Sequence, residues 1–369
     1  MKKILLAVTN DLITDNRLHR TATTLQAMGF DVNLVGCIFR DKSELKRPYP
    51  VHRLDMFFRS GLMFCIEFNV RLMMFAFRGK YDILVANGLD TLPGIGITAF
   101  FKRKPYVYDS YDLTTESAEM VGRPFVRWIW LLFERFLIRK ARRVYSISES
   151  MASFLSSKYK IRVDIVRNTP DFQSIKNYPP EYRLVHEGLK ILIYQGAVNR
   201  GRGLEMLIRT MKFLPEAMLF IIGAGAEEEK LEKLVSQTAL YNRVIFYGRV
   251  KFEELKFLTM QADLGLSAEE DICLNYRYSL PNKLFDYIHA GIPVLVSGLY
   301  EMERIVKERK IGQLILDRTP EKLADQIREM LFNDEEIGRW RDNALETAKE
   351  FNWFKEKKMI EDIYSEFSD

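Results

Sequence analysis

Short apolar runs alternate with helix-length stretches along this chain, and the pattern stops once and then restarts. Residues 4–8 read as a strand, 17–28 as a helix closed by Gly29, and 32–35 as a second strand. Runs at 83–86, 106–108 and 144–147 continue the series, with helical stretches between them. The pattern breaks around Asn177-Tyr178-Pro179-Pro180 in the polar segment 177–188. It resumes with strands at 191–194, 218–222, 244–246, 264–266 and 294–296 and helices at 203–213, 227–237 and 252–259; the tail, 320–367, reads as helix throughout. Such alternation produces parallel sheets covered on both faces. The expected fold class is therefore α/β, with two doubly wound, Rossmann-like domains, and 369 residues is long for a single core. The expected boundaries are 1–178, a linker at 179–188, 189–350, and a C-terminal helix at 351–369 packing back on the first domain. Ligands of such sheets sit beyond the carboxyl ends of the strands, so the expected active site is a cleft between the domains.

The second half contains the stretch Leu280-Pro281-Asn282-Lys283-Leu284-Phe285-Asp286-Tyr287-Ile288-His289-Ala290-Gly291-Ile292-Pro293. Pro281 suits a first helical position, and Leu284, Phe285 and Ile288 recur at helical spacing. Gly291 supplies a left-handed cap and Pro293 forbids continuation. A helix start carrying Asn282 and Lys283 is an anion site, because free N–H groups and the positive dipole end converge there. Asp286, one turn on, can accept from hydroxyls beside that anion. Phosphate beside vicinal hydroxyls describes a nucleotide, and the bland alternative is a surface helix.

A second anion-binding element opens the same domain: Tyr194-Gln195-Gly196-Ala197-Val198-Asn199-Arg200-Gly201-Arg202-Gly203. Glycines let the backbone approach a ligand, while Arg200 and Arg202 present forked donors. No Gly-Lys-Ser/Thr follows, so this is not a Walker loop, and it does not match G-x-G-x-x-G.

These segments, with Phe220-Ile221-Ile222-Gly223-Ala224-Gly225 and Val244-Ile245-Phe246-Tyr247-Gly248, resemble the retaining, nucleotide-sugar-dependent glycosyltransferases of family 4 (glycosyl transferases group 1), which have the GT-B fold. Asp15-Asn16-Arg17, Asn87-Gly88-Leu89-Asp90-Thr91-Leu92 and Tyr108-Asp109-Ser110-Tyr111-Asp112 look like the variable acceptor half of that family. The resemblance implies that Arg202 and Lys283 hold the donor diphosphate with the helix-start N–H groups of Asn282, Lys283 and Leu284 and the loop at Gly196. Gly248, Arg249 and Val250 would meet the base, and Asp286 the ribose. Three positions depart from the pattern: the first of the family's paired glutamates falls on Tyr278, its loop arginine on Ala197 with Arg200 compensating, and its first-domain histidine on Tyr111. Retention would proceed by front-face attack, with the leaving phosphate taking the acceptor's proton. Asp109 or Asp112 reads either as a base orienting the acceptor hydroxyl or as a loop cap. Asp15 and Arg17 read as acceptor contacts or as helix capping. Glu269 and Glu270 read as contacts to the donor sugar or as part of a solvated charge run.

Composition narrows the partners. Residues 1–180 hold 28 Lys/Arg against 17 Asp/Glu, a net of +11, and the remainder holds 27 against 33, a net of −6. A basic half points to an anionic neighbour. Segment 123–143 combines seven basic side chains with Trp128, Trp130, Phe133 and Phe136, the mixture of an interfacial helix, although the apolar side of such a helix more commonly packs on a sheet. Residues 62–77 come closest to a membrane span but are interrupted by Glu67 and Arg71. Cys37, Cys65 and Cys273 are too few and too scattered for a disulfide framework, and no cluster has metal-site spacing. The expected protein is a cytoplasmic enzyme, peripheral on the membrane through 123–143, with no metal or cofactor beyond a nucleoside diphosphate sugar. Its acceptor is expected to be a glycan or lipid-linked intermediate of surface polysaccharide assembly, and nucleic acid is not an expected partner. The rivals are a sugar-nucleotide epimerase and a catalytically silent binding subunit.

Overall fold

The computed structural model describes residues 1–13, 15–38, 45–171, 179–186 and 188–368; Asn177 and Tyr178, at the expected break, lie outside the described residues. The chain forms two compact units. The first comprises Met1–Asn168, Cys273–Asn275 and Phe354–Asp369, and the second Thr169–Ile272 and Tyr276–Trp353.

The first unit is built on a parallel sheet of β1 (Lys3–Ala7), β2 (Asp31–Ile38), β3 (Val51–Asp55), β4 (Ile83–Asn87), β5 (Tyr106–Ser110), β6 (Arg143–Ser146) and β7 (Asp164–Ile165), ordered β3-β2-β1-β4-β5-β6-β7. Its centre is apolar on both faces: Ile4, Leu5, Leu6, Ala7, Val85 and Ala86 are all buried, as a doubly covered sheet requires. Two of its strands were not visible as apolar runs. Strand β3 lies at an edge, is only half covered and carries His52 and Arg53; β7 has two residues.

The second unit repeats the plan with β8 (Lys190–Gln195), β9 (Ala217–Ile222), β10 (Val244–Gly248), β11 (Leu264–Ser267), β12 (Val294–Val296) and β13 (Gly312–Leu314), ordered β10-β9-β8-β11-β12-β13 and parallel throughout. In both sheets the chain winds away from its first strand and then returns to that strand's other side. The order thus reverses between β1 and β4, and again between β8 and β11. Helices on opposite faces diverge at such a point and leave a crevice at the carboxyl ends of the two strands.

Helix Asn282–Ala290 positions much of the second crevice. Pro281 is its N-cap, with ψ of 136°, rather than its first turn. Gly291 ends it in the left-handed region at φ 65°, where a side chain would be strained. Leu284, Phe285, Tyr287 and Ile288 are fully buried, at about 2 kcal/mol for each apolar side chain taken from water.

The helical tail divides into Pro320–Phe332, Asp334–Glu350 and Trp353–Ser365. Asn333 leaves helical geometry and caps the second with its side chain, which accepts from Glu336 N–H at 3.2 Å. The last helix contributes to the first unit, where Glu356 accepts from the backbone of Arg167 at 2.8 Å and Glu366 pairs with Arg143 at 3.0 Å. Residues after the expected break do not hang free. Tyr182 stacks on Phe257, and Gln261 bonds to the backbone of both Tyr182 and Leu184.

Candidate functional site

At the β8/β11 reversal three charged side chains meet. Strand β8 ends at Gln195 and the glycine loop follows; Gly203, at φ 73°, starts helix Leu204–Thr210 with its α-carbon against Ala268, where an added Cβ would lie 2.0 Å from the Ala268 carbonyl oxygen. That close approach presses the Arg202 loop onto the segment after β11. A backbone bond from Glu270 N–H to Gly201 O, 2.8 Å, closes the same junction. From the other side, the Tyr287 hydroxyl accepts from Gln195 N–H and lies 3.2 and 3.1 Å from the carbonyls of Ile193 and Leu266. This bonding fixes helix Asn282–Ala290 over β8 and β11, and Lys283 in its first turn points at the loop.

The meeting point is Glu269. Lys283 Nζ donates to its Oε1 at 2.7 Å, Arg202 approaches the same oxygen at 3.5 Å, and Ser267 Oγ donates to Oε2 at 2.7 Å. The Lys283 ammonium also lies 3.8 Å from the centre of the Tyr194 ring, and the Arg202 guanidinium 4.6 Å from that of Tyr276. Side-chain exposure is 6% for Lys283 and 1% for Glu269. Burial pushes the Glu269 carboxyl up, but Lys283 and Arg202 outweigh it and hold it at about 2. Burial lowers the Lys283 ammonium to about 8, with Glu269 opposing the fall and Arg202 adding to it. The buried Arg202 Nε has no hydrogen-bond partner among the described residues. Two cations around one anion leave a net positive centre with an unused donor, which is suited to a phosphate.

The other expected donor-site residues distribute around this centre. Gly196 sits against Lys283: a Cβ there would lie 3.8 Å from Nζ. Arg200 turns its side chain to solvent, and its carbonyl accepts from the Tyr276 hydroxyl at 3.2 Å. Gly248, Arg249 and Val250 follow β10; Gly223 N–H donates to Gly248 O and Gly196 N–H to Ile222 O, so the ends of β8, β9 and β10 form one continuous rim. Asn282 is exposed at the helix start and Asp286 half-buried one turn on. Leu284 has its side chain in the core, and its N–H donates to Pro281 O at 3.0 Å. Glu269, read in the sequence as a sugar contact or part of a solvated run, stands buried between the two cations. Glu270 is exposed and acts through its backbone.

The β1/β4 reversal of the first unit carries a different set. Arg17 donates to both oxygens of Asp109, at 3.0 and 2.8 Å, and to Val166 O at 3.0 Å, and both side chains are buried. Burial raises the Asp109 carboxyl while Arg17 pulls it down. Asp109 and Arg17 therefore stand together as a buried ion pair. Asp15 is the N-cap of helix Asn16–Ala27, the capping role that was one of its two readings, accepting from Leu18 N–H at 2.9 Å and from the Asn10 amide at 2.6 Å. Asp112 accepts from the Thr114 hydroxyl at 2.8 Å, and burial pushes its carboxyl up to about 7. Tyr111 lies with its hydroxyl against Gly88 and beside Asp90. Asp90 itself was passed over in the sequence. It follows β4, accepts from the Thr9 hydroxyl after β1, and burial lifts it to about 6. Its place just past a buried run beside β1 was the available signal. Among the described residues no group of three or more His, Cys, Asp or Glu side chains is placed to hold a metal.

Residues 181–347 match the family model of glycosyl transferases group 1, and residues 14–169 that of the glycosyl transferase 4-like domain. An uncharacterized glycosyltransferase of Methanocaldococcus jannaschii is 24% identical over 62% of this chain and 60% of its own length. The chain thus spans less than two thirds of that relative. The chitobiosyldiphosphodolichol beta-mannosyltransferase of Candida glabrata is 24% identical over 86% of this chain and 81% of its own. Among solved structures, sucrose-phosphate synthase from Thermosynechococcus elongatus superposes with a TM-score of 0.81 at 17% identity, covering 100% of this chain and 99% of that one. An Anabaena protein solved in complex with UDP-glucose gives 0.76 at 16% identity, over 99% and 100%. At those identities the structures speak for the fold alone.

Proposed function

We infer a reaction from one premise: the chain belongs to the glycosyl transferases group 1 family and has the GT-B fold. The reading is transfer of a hexosyl group from a nucleoside diphosphate sugar to a glycan or lipid-linked acceptor. The observation that carries it is the convergence of Arg202 and Lys283 on Glu269 at the β8/β11 reversal, where a diphosphate meets two cations, an unused Nε donor and the loop backbone. Breaking the anomeric carbon–phosphate bond moves an electron pair onto the leaving diphosphate. Preorganised donors stabilise that growing charge by about 3 kcal/mol for a strong one. Gly248, Arg249 and Val250 meet the base, Asn282 the phosphate end, and Asp286 the ribose hydroxyls.

In this reading the anomeric configuration is retained by front-face attack, with the leaving phosphate taking the acceptor's proton. Asp112 orients the acceptor hydroxyl in the first unit, and its carboxyl near neutrality suits it to share a proton. The product feeds surface polysaccharide assembly, and a lipid-linked acceptor brings the basic stretch 123–143 to a membrane as a peripheral contact.

Calorimetry with UDP and GDP tests the donor site. Arg202→Ala and Lys283→Ala are each expected to weaken the preferred nucleotide by tenfold or more, about 1.4 kcal/mol at the least. Unchanged affinity in both variants removes the diphosphate assignment. The anomeric proton coupling of the product decides between retention and inversion.

A further inference from the structure

An acid at the centre of a site that takes an anion calls for a reason. By charge repulsion alone Glu269 competes with the phosphate, and its removal would tighten binding. The way the side chain is held argues for the opposite role. Glu269 is buried, and each carboxylate oxygen has its own partners: Lys283 and Arg202 on Oε1, the Ser267 hydroxyl on Oε2. Its adjoining backbone is pinned as well. Arg318, in the loop after β13, donates to Ala268 O at 2.8 Å and to Ser297 Oγ at 3.0 Å, and Ser297 N–H donates to Ser267 O at 2.9 Å. Gly203 lies against the same Ala268 carbonyl. A carboxylate tied at both oxygens and along its backbone is not placed to swing aside for a ligand.

The two cations keep donors in reserve. An ammonium carries three N–H bonds and a guanidinium five. Lys283 gives one to Glu269, and Arg202 reaches the same oxygen through Nη1 while its Nε has no partner among the described residues. A phosphate therefore adds to this arrangement without replacing the acid.

Without the acid, two cations gathered at one oxygen would face each other in a buried site. Arg202 keeps its charge at any ordinary pH, so the proton would leave Lys283. The groups around that ammonium are Glu269 after β11, Arg202 on the glycine loop and Tyr194 on β8. Burial pushes the hydroxyls of Tyr194 and of Tyr287, on the lysine's own helix, upward, so both stay neutral. With the acid and the ammonium charge both gone, the centre would be no more positive than before. It would also have lost a charged donor aimed at the loop. We propose that Glu269 is a positioning residue for the donor diphosphate, a role that rests on the donor-site reading above: it gathers Lys283 and Arg202 at one point and keeps the lysine charged, so that this acid strengthens anion binding.

Calorimetry of the full chain with UDP and GDP between pH 6 and 9, in buffers of different ionisation heat, tests it. For Glu269→Gln the affinity at pH 7.5 is expected to fall about tenfold, and the midpoint of affinity against pH to drop by about one pH unit or more. Proton uptake on binding should approach one per nucleotide, where the parent takes up a fraction. Adding Lys283→Arg supplies a cation that does not titrate in this range, and is expected to recover most of the affinity and remove the extra uptake. Binding by Glu269→Gln as tight as the parent's, or tighter, overturns the proposal and makes Glu269 a competitor of the phosphate. So does a loss equal at every pH that Lys283→Arg does not relieve, the mark of a purely structural role. A parent chain that binds neither nucleotide removes the donor-site reading itself, and this role with it. If circular dichroism shows Glu269→Gln unfolded, Glu269→Asp, which keeps the charge but draws it back from Lys283, takes its place: a smaller drop of the midpoint supports the role and an unmoved midpoint overturns it.

Discussion

The two sheets share one strand order and reverse it beside their first strands, yet the two reversals carry opposite chemistry. At β8/β11 two cations surround one carboxylate and a guanidinium nitrogen has no partner among the described residues; at β1/β4 Arg17 is held by Asp109, and Asp90 and Asp112 are lifted toward neutrality. Topology fixes where a ligand can approach, and the loop side chains decide its charge. In the proposed reading the second unit takes an anion and the first takes neutral hydroxyls, because a carboxyl near its titration point both donates and accepts.

The largest effect that separates the two centres is structural. Arg17→Met strands Asp109 as a buried, unpaired charge and is expected to cost about 3–5 kcal/mol in urea unfolding while nucleoside diphosphate affinity stays within about twofold. Lys283→Met is the mirror case: Glu269 keeps Arg202 and Ser267, so stability falls less and nucleotide affinity falls most. If Arg17→Met weakened nucleotide binding as strongly as Lys283→Met does, the two reversals would not be separate in function.

The cationic centre of the second unit was legible in the sequence because its parts are local. A glycine loop with Arg202, and a capped helix start with Lys283, can each be recognised within about ten residues. What could not be seen was the third partner. Glu269 looked like the head of an acidic surface run, and its burial depends on β11 ending beside β8, a pairing between segments more than 70 residues apart. Arg17 and Asp109 pair across 92 positions, so neither of the readings given to each, ligand contact or local cap, included the other as its partner. The inward turn of the Leu284 side chain follows from the helix phase, and its N–H bonds to Pro281 O. The 123–143 stretch shows that amphipathicity identifies a stripe without its direction. Only the bonds that hold Glu134 inside put Trp128 and Phe136 outside.

A smaller effect concerns the charge of Lys283. Its folded value of about 8 is below the ordinary lysine value near ~10.4, so above pH 8 the folded protein sheds a proton that the unfolded chain retains. Two consequences have opposite signs. Stability rises with pH between about 8 and 10.4, because the unfolded state binds the extra proton. Diphosphate affinity falls over the same range, by up to about tenfold per unit, as the ammonium is lost. The nucleotide's own second ionisation, near ~6, is complete by then. Calorimetry from pH 7 to 9.5 checks this, and Lys283→Arg, which does not titrate there, is expected to flatten the profile.

The smallest expected effect tests the first unit. Burial holds the Asp90 carboxyl at about 6, so its charged form is disfavoured in the folded chain, and the stability linked to it is lost as pH rises through that value. Asp90→Asn keeps the bond with Thr9 and removes the charge. The variant should gain on the order of 1–2 kcal/mol over the parent at pH 8 and nothing at pH 4, where the parent is protonated as well. Thermal unfolding of both proteins at the two pH values measures the difference. A gain equal at both would mean that packing rather than charge separates them. The contrast between a cation-lined and a carboxyl-lined reversal would then rest on the second unit alone.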